Sequence, residues 1–484
     1  MSASADEEIL FAGPEALVQR MRARELTARE LVELSLRRIE ALNPSLNAFR
    51  TTIPEQALAE ADSITDLARP LAGVPVGVKD NTPVGGQVMT RGSRSYGPVQ
   101  SFDAEIVRKL RAAGAVPIGI TNVPELTIFP WTASDANGIT RNPWNLTRTP
   151  GGSSGGSGAA VAAGMVPAAT GSDGGGSIRI PASCCGLVGM KPTRGRVSMQ
   201  PARQGWLGLS VYGGLARSVR DSALLLEVMQ GAAVGDLDVA PPPARSFIEA
   251  AGAPPGRLRV AVSRKIPPGV IATLASDQRQ AWESTGRLLE QLGHEVVERD
   301  PDYGFSAALL FTQTWLRGIY EESLQLPDRS QLERSSRQMA SAGRILVPDR
   351  RRQKLIEQRH ALTARILALW DEIDVLLTPG LAKTAIEARG GYGKSAIAAF
   401  DIAARFTPWT PAFNVTGQPA VTLPAGFAGD GLPLSVQLVG RPGAEDLLYS
   451  LAGQIEQARG WPQVRPTLQV QNPAPALAAP PDGA

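Results

Sequence analysis

The sequence predicts an α/β fold, with a mixed or parallel β-sheet that carries helices on its faces. Three observations point there. Strand-like and helix-like runs alternate in the first quarter of the chain, and the alternation resumes after residue 256. Between them lies a Gly/Ser/Pro-rich stretch, residues 138–215, whose small-residue runs such as Ala159 to Gly164 pack too well for a linker. At 484 residues, 43% hydrophobic and 20% charged, the chain has the composition of a soluble globular protein with a sizeable core.

In chain order, Pro14 to Glu25 and Thr27 to Leu42 read as helices. Thr27 and Glu30 form a capping box, and Leu31, Leu34 and Ile39 recur at helical spacing. Residues 1–70 are thus expected to be a helical cover. A strand over Val74 to Val78, a helix over Asp103 to Ala113 and a strand over Ala115 to Ile120 open the core, residues 71–240. The Pro/Ala-rich run from Pro241 to Gly256 marks a lesser boundary. Beyond it, within 241–460, come a strand over Leu258 to Val262, a helix over Asp277 to Gly293 and a strand over Glu295 to Glu298. Residues 303 to 370 read as largely helical, ending in a strand over Asp374 to Thr378. Leu434 to Ala458 adds a strand and a helix. Residues 461–484 are a Pro/Ala tail expected to be poorly ordered.

Several function classes are disfavoured at once. A net charge of +3 with no basic block argues against nucleic acid as a partner. Asp6, Glu7 and Glu8 stand where a secretory leader carries positive charge, so a cytoplasmic setting is expected. The most apolar stretch, Ala159 to Thr170, is short and broken by Gly164 and Pro167, which argues against a membrane span. The two cysteines, Cys184 and Cys185, are neighbours and are expected to be reduced, packed thiols. Of two histidines, His294 sits at a helix-to-strand turn and His360 in a polar helical run. Neither suits catalysis, so a Ser-His-Asp triad and a His/Cys zinc site both lack material, and no cofactor or metal is expected.

The densest signal is Thr149-Pro-Gly-Gly-Ser-Ser-Gly-Gly-Ser-Gly followed by Gly171-Ser-Asp-Gly-Gly-Gly-Ser-Ile-Arg-Ile-Pro. A low-complexity linker would account for composition alone. A phosphate cradle would use the glycine N–H groups, but a P-loop needs Lys-Ser/Thr after the glycines, and the next lysine is Lys191. An oxyanion hole is the third reading: Gly174, Gly175, Gly176 and Ser177 would present consecutive backbone donors beside a serine hydroxyl. Ser177 is then the candidate nucleophile, and it needs a base. With histidine scarce, lysine is the substitute if burial lowers its pKa. Lys79 ends an apolar strand at a strand-to-loop junction, where sites on open α/β sheets sit. A lone lysine at a strand end is ordinarily solvated; what singles out Lys79 is its company.

Gly73-Val-Pro-Val-Gly-Val-Lys-Asp, Pro150-Gly-Gly-Ser-Ser-Gly-Gly-Ser, Ser172-Asp-Gly-Gly-Gly-Ser-Ile-Arg-Ile-Pro and Gly186-Leu-Val-Gly-Met-Lys-Pro-Thr-Arg-Gly-Arg-Val-Ser resemble, in order and spacing, the amidase signature family. The likeness runs from about residue 10 to 460, includes Asn142-Pro-Trp-Asn-Leu and Asn414-Val-Thr-Gly-Gln-Pro-Ala, and is thinnest from about 240 to 400. It implies a single large amidase-signature fold with a central mixed β-sheet covered by helices on both faces, a variable, largely helical region at about 303–400 that shapes the substrate site, and a Ser-cisSer-Lys triad of Ser177 as nucleophile, Ser153 as a bridging serine on a cis peptide, and Lys79 as base. Ser177 follows Ser153 by 24 positions, the offset that the family's two motifs require, which selects Ser153 over Ser154 and leaves Ser154 a supporting role. Asp173 and Arg179 look like scaffolding for the nucleophile loop, and Lys191 looks structural. One departure is Gly174, where the family commonly has threonine or isoleucine; it puts loop rigidity and the pocket rim in doubt.

The activity so implied is hydrolysis of linear amides through a Ser177 acyl-enzyme, with apolar or aryl amides favoured and carbamates (as in a urethanase) or esters open. Candidate pocket residues are the bulky apolar Ile128, Phe129, Trp131, Trp206, Trp409 and Phe413; ordinary core packing is the competing explanation for them. The amidase subunit of a tRNA-dependent amidotransferase is a rival, but that subunit's acidic-aromatic Met-Gly-Ser block is missing from Glu125 to Asp135. A non-catalytic binding protein on this scaffold would be expected to lose one of the three side chains, and all three are present. The expected partner is a small amide or carbamate, with the chain a monomer or homodimer.

Overall fold

The computed structural model describes residues 3–468; most of the Pro/Ala tail, from residue 469 on, lies outside the described residues. Thirteen strands form among the described residues: β1 (Phe49–Thr52), β2 (Pro75–Lys79), β3 (Val116–Thr121), a short pair β4 (Ala133–Ser134) and β5 (Gly138–Ile139), β6 (Ala168–Asp173), β7 (Val188–Lys191), β8 (Val211–Ala216), β9 (Arg259–Val262), β10 (Glu295–Glu298), β11 (Val375–Pro379), β12 (Ala420–Phe427) and β13 (Pro433–Val439). All but β4 and β5 join one sheet in the order β1-β3-β2-β6-β8-β7-β12-β13-β11-β9-β10. It is mixed: β2 runs parallel to β3 and β6, whereas β6 is antiparallel to β8 and β12 antiparallel to β13.

Both faces are covered, as two adjacent glycines show. A Cβ on Gly213 would stand 2.9 Å from Ile178, just before the helix Arg179–Cys185, and a Cβ on Gly214 would stand 2.9 Å from Leu225 of the helix Val219–Met229. Because alternate strand residues face opposite ways, those helices lie on opposite faces. β2, β3 and β6 are buried along their whole length, which accounts for their near-continuous apolar or small-residue character. A second apolar cluster, including Phe129, Trp131, Leu310, Trp315, Trp370 and Phe413, fills the space toward the helices Ala307–Ser323, Arg334–Leu346 and Arg352–Leu367.

Several boundaries differ from the sequence expectation. The second helix starts at its Thr27 capping box but runs through Pro44 to Leu46, where Asn47 ends it at φ 50°. The segment read as a helical cover also supplies the edge strand β1, paired antiparallel to β3. Strands β6, β7, β8 and β12 carry no alternating apolar pattern, because both faces of each are packed and small residues let neighbouring backbone approach. At Gly171, for example, a Cβ would lie 3.1 Å from Ser154 Oγ. Among the described residues no helix is long and apolar enough to cross a membrane.

β2 and β6 are parallel neighbours, and their C-terminal ends carry Lys79 and Asp173. The two Gly/Ser clusters are connected there. Helix Gly155–Ala162 is buried at every residue and is tied to the sheet by Ser157 Oγ, which donates to Thr170 O at 2.8 Å and sits 2.7 Å from Thr121 Oγ1.

Candidate active site

Lys79 is fully buried. Its Nζ lies 2.8 Å from Ser153 Oγ, 2.8 Å from Ser172 Oγ and 3.2 Å from Ser172 O. Burial pushes its pKa down from 10.5 to about 7, with the Asp173 carboxylate pulling the other way. Three oxygens match the three N–H bonds of an ammonium. Once a proton leaves, the amine gains a lone pair, and Ser172 O can only accept. A serine hydroxyl must then turn to donate, and Ser153 Oγ is placed to do so. The pair is thus arranged so that it can pass a proton near neutral pH.

Ser153 follows a cis peptide bond from Gly152. Gly152 is wedged against backbone: a Cβ there would come within 2.5 Å of Phe129 O and 2.6 Å of Trp131 O. Ser154 closes the loop from behind, its N–H donating to Ser177 O at 3.3 Å and its Oγ lying 3.4 Å from Ser172 N and O. Ser153 and the part-exposed Ser177 line one cavity of about 440 Å³. Among the described residues no hydrogen bond joins the two hydroxyls.

The loop that carries Ser177 hangs on Asp173. Its carboxylate accepts from the N–H groups of Gly176 (2.7 Å), Ile178 (3.2 Å) and Arg179 (3.5 Å), from Arg179 Nε and Nη2 (both 2.9 Å) and from Asn414 Nδ2 (2.8 Å). Burial alone would raise its pKa, but Arg179, Lys191 and Asn414 hold it well below the usual carboxylate range. Arg179, also fully buried, spends its remaining donors on Thr410 O, Gln437 Oε1 and Asn414 Oδ1 at 2.7–2.9 Å. Thr410 Oγ1 donates to Gly175 O at 2.7 Å, pinning the loop from the far side.

This arrangement corrects one expected donor. The Gly176 N–H already donates to Asp173 Oδ1 at 2.7 Å, so it is committed to the loop's own carboxylate. The N–H groups of Gly174, Gly175 and Ser177 donate to no acceptor among the described residues, and these three remain the oxyanion candidates.

The pocket expectation divides in two. Ile128, Phe129 and Trp206 line a second, apolar cavity of about 760 Å³, which also reaches Ser177 and takes walls from Phe311, Trp315 and Phe400. Trp131, Trp409 and Phe413 do not line it: each is 2% exposed or less. Trp131 stacks on the far side of Phe129 at 4.7 Å. These three rings are core, where large aromatic side chains bury the most surface.

The histidines lie elsewhere. His294 accepts from Leu258 N–H at Nδ1 (3.2 Å) and pairs with Gln454 through Nε2 (2.9 Å), while His360 is exposed. Cys184 and Cys185 are free and buried, and burial raises both thiol pKa values.

A family model described as Amidase matches residues 30–449. The chain belongs to the amidase signature family. It is 45% identical, over 95% of its length and 99% of the relative's, to the putative amidase AmiB2 of Mycobacterium tuberculosis. It is 36% identical to the 6-aminohexanoate-cyclic-dimer hydrolase of Paenarthrobacter ureafaciens, covering 96% of this chain and 98% of that one. A solved 6-aminohexanoate cyclic dimer hydrolase superposes with a TM-score of 0.87 at 34% identity, covering 96% and 99% of the two chains. The chain is thus an amidase, a hydrolase of amide bonds.

Within this amidase-signature site, sequence reasoning passed over Ser172 and Asn81. Ser172 Oγ meets Lys79 Nζ and accepts from Asn81 Nδ2 at 2.9 Å, so the two fix the direction in which the lysine points. The signal was available, since Ser172 sits one residue before Asp173 inside the quoted motif. Ser172→Ala removes one of three amine partners without touching the serine pair. It should lower kcat by about 10–100-fold with KM nearly unchanged, as expected when a catalytic group loses its orientation. Steady-state kinetics that show a KM effect alone would contradict that role.

Proposed function

We propose that this amidase cleaves the C–N bond of apolar or aryl linear amides through an acyl-enzyme on Ser177. The observation that carries the proposal is the buried Lys79, held near neutral pKa and bonded to the cis-linked Ser153, which shares a cavity with Ser177. Neutral Lys79 takes the Ser153 proton as Ser153 takes that of Ser177, and Ser177 Oγ adds to the carbonyl carbon. The oxygen gathers negative charge beside the N–H groups of Gly174, Gly175 and Ser177. Ser153 then protonates the leaving nitrogen, because an amine departs poorly as an anion. The C–N bond breaks, and water deacylates Ser177 by the same route in reverse. Esters and carbamates present the same carbonyl with an easier or equivalent leaving group and are proposed as secondary substrates.

The apolar walls of the larger cavity support an apolar or aryl acyl group. The likeness to a hydrolase named for the 6-aminohexanoate cyclic dimer supports an amide with a methylene-chain acyl part. A fluorophosphonate probe tests the nucleophile: intact mass should show one adduct and peptide mapping should place it on Ser177. An adduct on another serine, or none under conditions where amides are hydrolysed, would overturn the assignment.

A further inference from the structure

We infer that Trp206 divides the site into an apolar acyl compartment and a polar amine compartment, so that the enzyme prefers amides of an apolar acid with a small, uncharged polar amine. The inference rests on the Ser177 acyl-enzyme reading and adds to it a direction for the substrate.

The two cavities at Ser177 have different chemistry. The larger one is walled by Phe129, Phe311, Trp315 and Phe400. The smaller is walled by Asn81, Ser172, Tyr212, Gln204 and the pair Arg91–Glu322. That pair is closed on itself: Arg91 Nε lies 2.7 Å from Glu322, and Arg91 Nη2 donates to Gln325 Oε1 at 2.9 Å. Glu321 also lines it and is paired with Arg317 at 2.8 Å, and Met89 and Phe102 add apolar wall, so the compartment offers hydrogen-bonding partners without an unpaired charge, which suits an uncharged polar group. Ser177, Thr127 and Trp206 line both cavities.

Ser153 assigns the direction. It lines only the smaller, polar cavity, and its hydroxyl returns the proton to the leaving nitrogen. The nitrogen and its substituent must therefore lie on that side when the C–N bond breaks, and the acyl chain must extend into the other.

Trp206 makes the partition, and two glycines make room for it. A Cβ on Gly174 would stand 3.3 Å from the indole Cε3, and a Cβ on Gly318, in the helix Ala307–Ser323, would stand 2.8 Å from its Cγ. The indole is thus held between the nucleophile loop and that helix. Its turn is fixed: Trp206 and Leu207 have φ of 48° and 54°, Leu207 O accepts from Arg359 and Gly208 O from Arg194. This gives Gly174 a purpose. A threonine or isoleucine there would press on the ring that a glycine lets lie flat.

Two isomeric amides test the direction: N-hydroxyethyl octanamide, with an apolar acyl group and a polar amine, and N-octyl glycolamide, with the two exchanged. The wild-type enzyme should favour the octanamide in kcat/KM by roughly tenfold or more, the range set by placing an apolar chain in the wrong pocket. Trp206→Ala should bring the ratio to within about threefold of one, and Gly174→Thr should move it the same way, whereas Trp206→Phe should keep it. Each variant is titrated with the fluorophosphonate probe, so that rates refer to enzyme whose Ser177 reacts. A wild-type ratio of one or below, or a ratio unchanged in Trp206→Ala, overturns the partition. If both amides are cleaved and Ser177 is labelled, only the compartments fail; if Ser177 takes no label, the acyl-enzyme reading fails with them.

Discussion

Lys79→Met should lower kcat on any amide substrate by on the order of 10⁶-fold, about as much as Ser177→Ala, and the double variant should be no worse than either. Residues that move one proton along one path fail together, because losing either end stops the transfer. In the proposed relay Lys79 is the final proton acceptor: its Nζ is 2.8 Å from Ser153 Oγ, and no histidine lies at the site to replace it. The same reasoning fixes the pH dependence. Neutral amine is the working form, and burial holds its pKa at about 7, so kcat should rise as pH climbs through 7 and level off above about 8. A second buried lysine, Lys191, is also pushed down to about 7, by burial and by the neighbouring Arg179. It donates to Pro192 O at 2.9 Å and lines neither cavity. Lys191→Met should therefore keep the rise near 7. A profile flat from pH 6 to 10 with the chemical step limiting would remove Lys79 from the relay. So would loss of the rise in Lys191→Met alone.

How far the sequence reached can be seen residue by residue. Lys79, Ser153 and Ser177 were singled out through the resemblance of their motifs, and the structure brings the first two into hydrogen-bond contact and sets the third on the same cavity as Ser153. Strands such as β2, β3 and β9 were legible from apolar runs between turns. β6 was not: Ala-Ala-Thr-Gly-Ser-Asp has little strand propensity, and it is a strand because its neighbours β2 and β8 pair with it on both edges. The pocket aromatics show another limit. Trp131 and Phe129 are two residues apart and both nearly fully buried, yet only Phe129 borders the cavity. Which side of a ring meets empty space is decided by packing against distant residues such as Gly390 and Gly391, whose Cβ positions would fall within 2.7 Å of the Trp131 ring. The Gly176 donor failed for a local reason: a carboxylate three residues earlier captures its N–H.

The largest effect on stability is expected at Arg179. Arg179→Met should destabilise the fold by about 3–5 kcal/mol, the cost of breaking a buried ion pair by removing one partner. Arg179 and Asp173 are both fully buried, and the arginine also satisfies Thr410 O, Gln437 Oε1 and Asn414 Oδ1, so its removal strands acceptors as well as a charge. The Asp173 pKa is held below its ordinary value. Its contribution to stability is accordingly present above the unfolded-state pKa near 4 and is lost only as pH falls through the lower folded-state value. In Arg179→Met that protection weakens, and acid unfolding should begin at a higher pH than in the wild type. Adding Asp173→Asn to Arg179→Met should cost less than the sum of the single losses, since the stranded charge is then removed. Denaturant titration of the four proteins at neutral pH measures the losses, and an acid titration of the wild type and Arg179→Met measures the onset of unfolding. A loss below about 1 kcal/mol for Arg179→Met, or strict additivity in the double variant, would show that the loop is held by its backbone bonds and not by the buried pair.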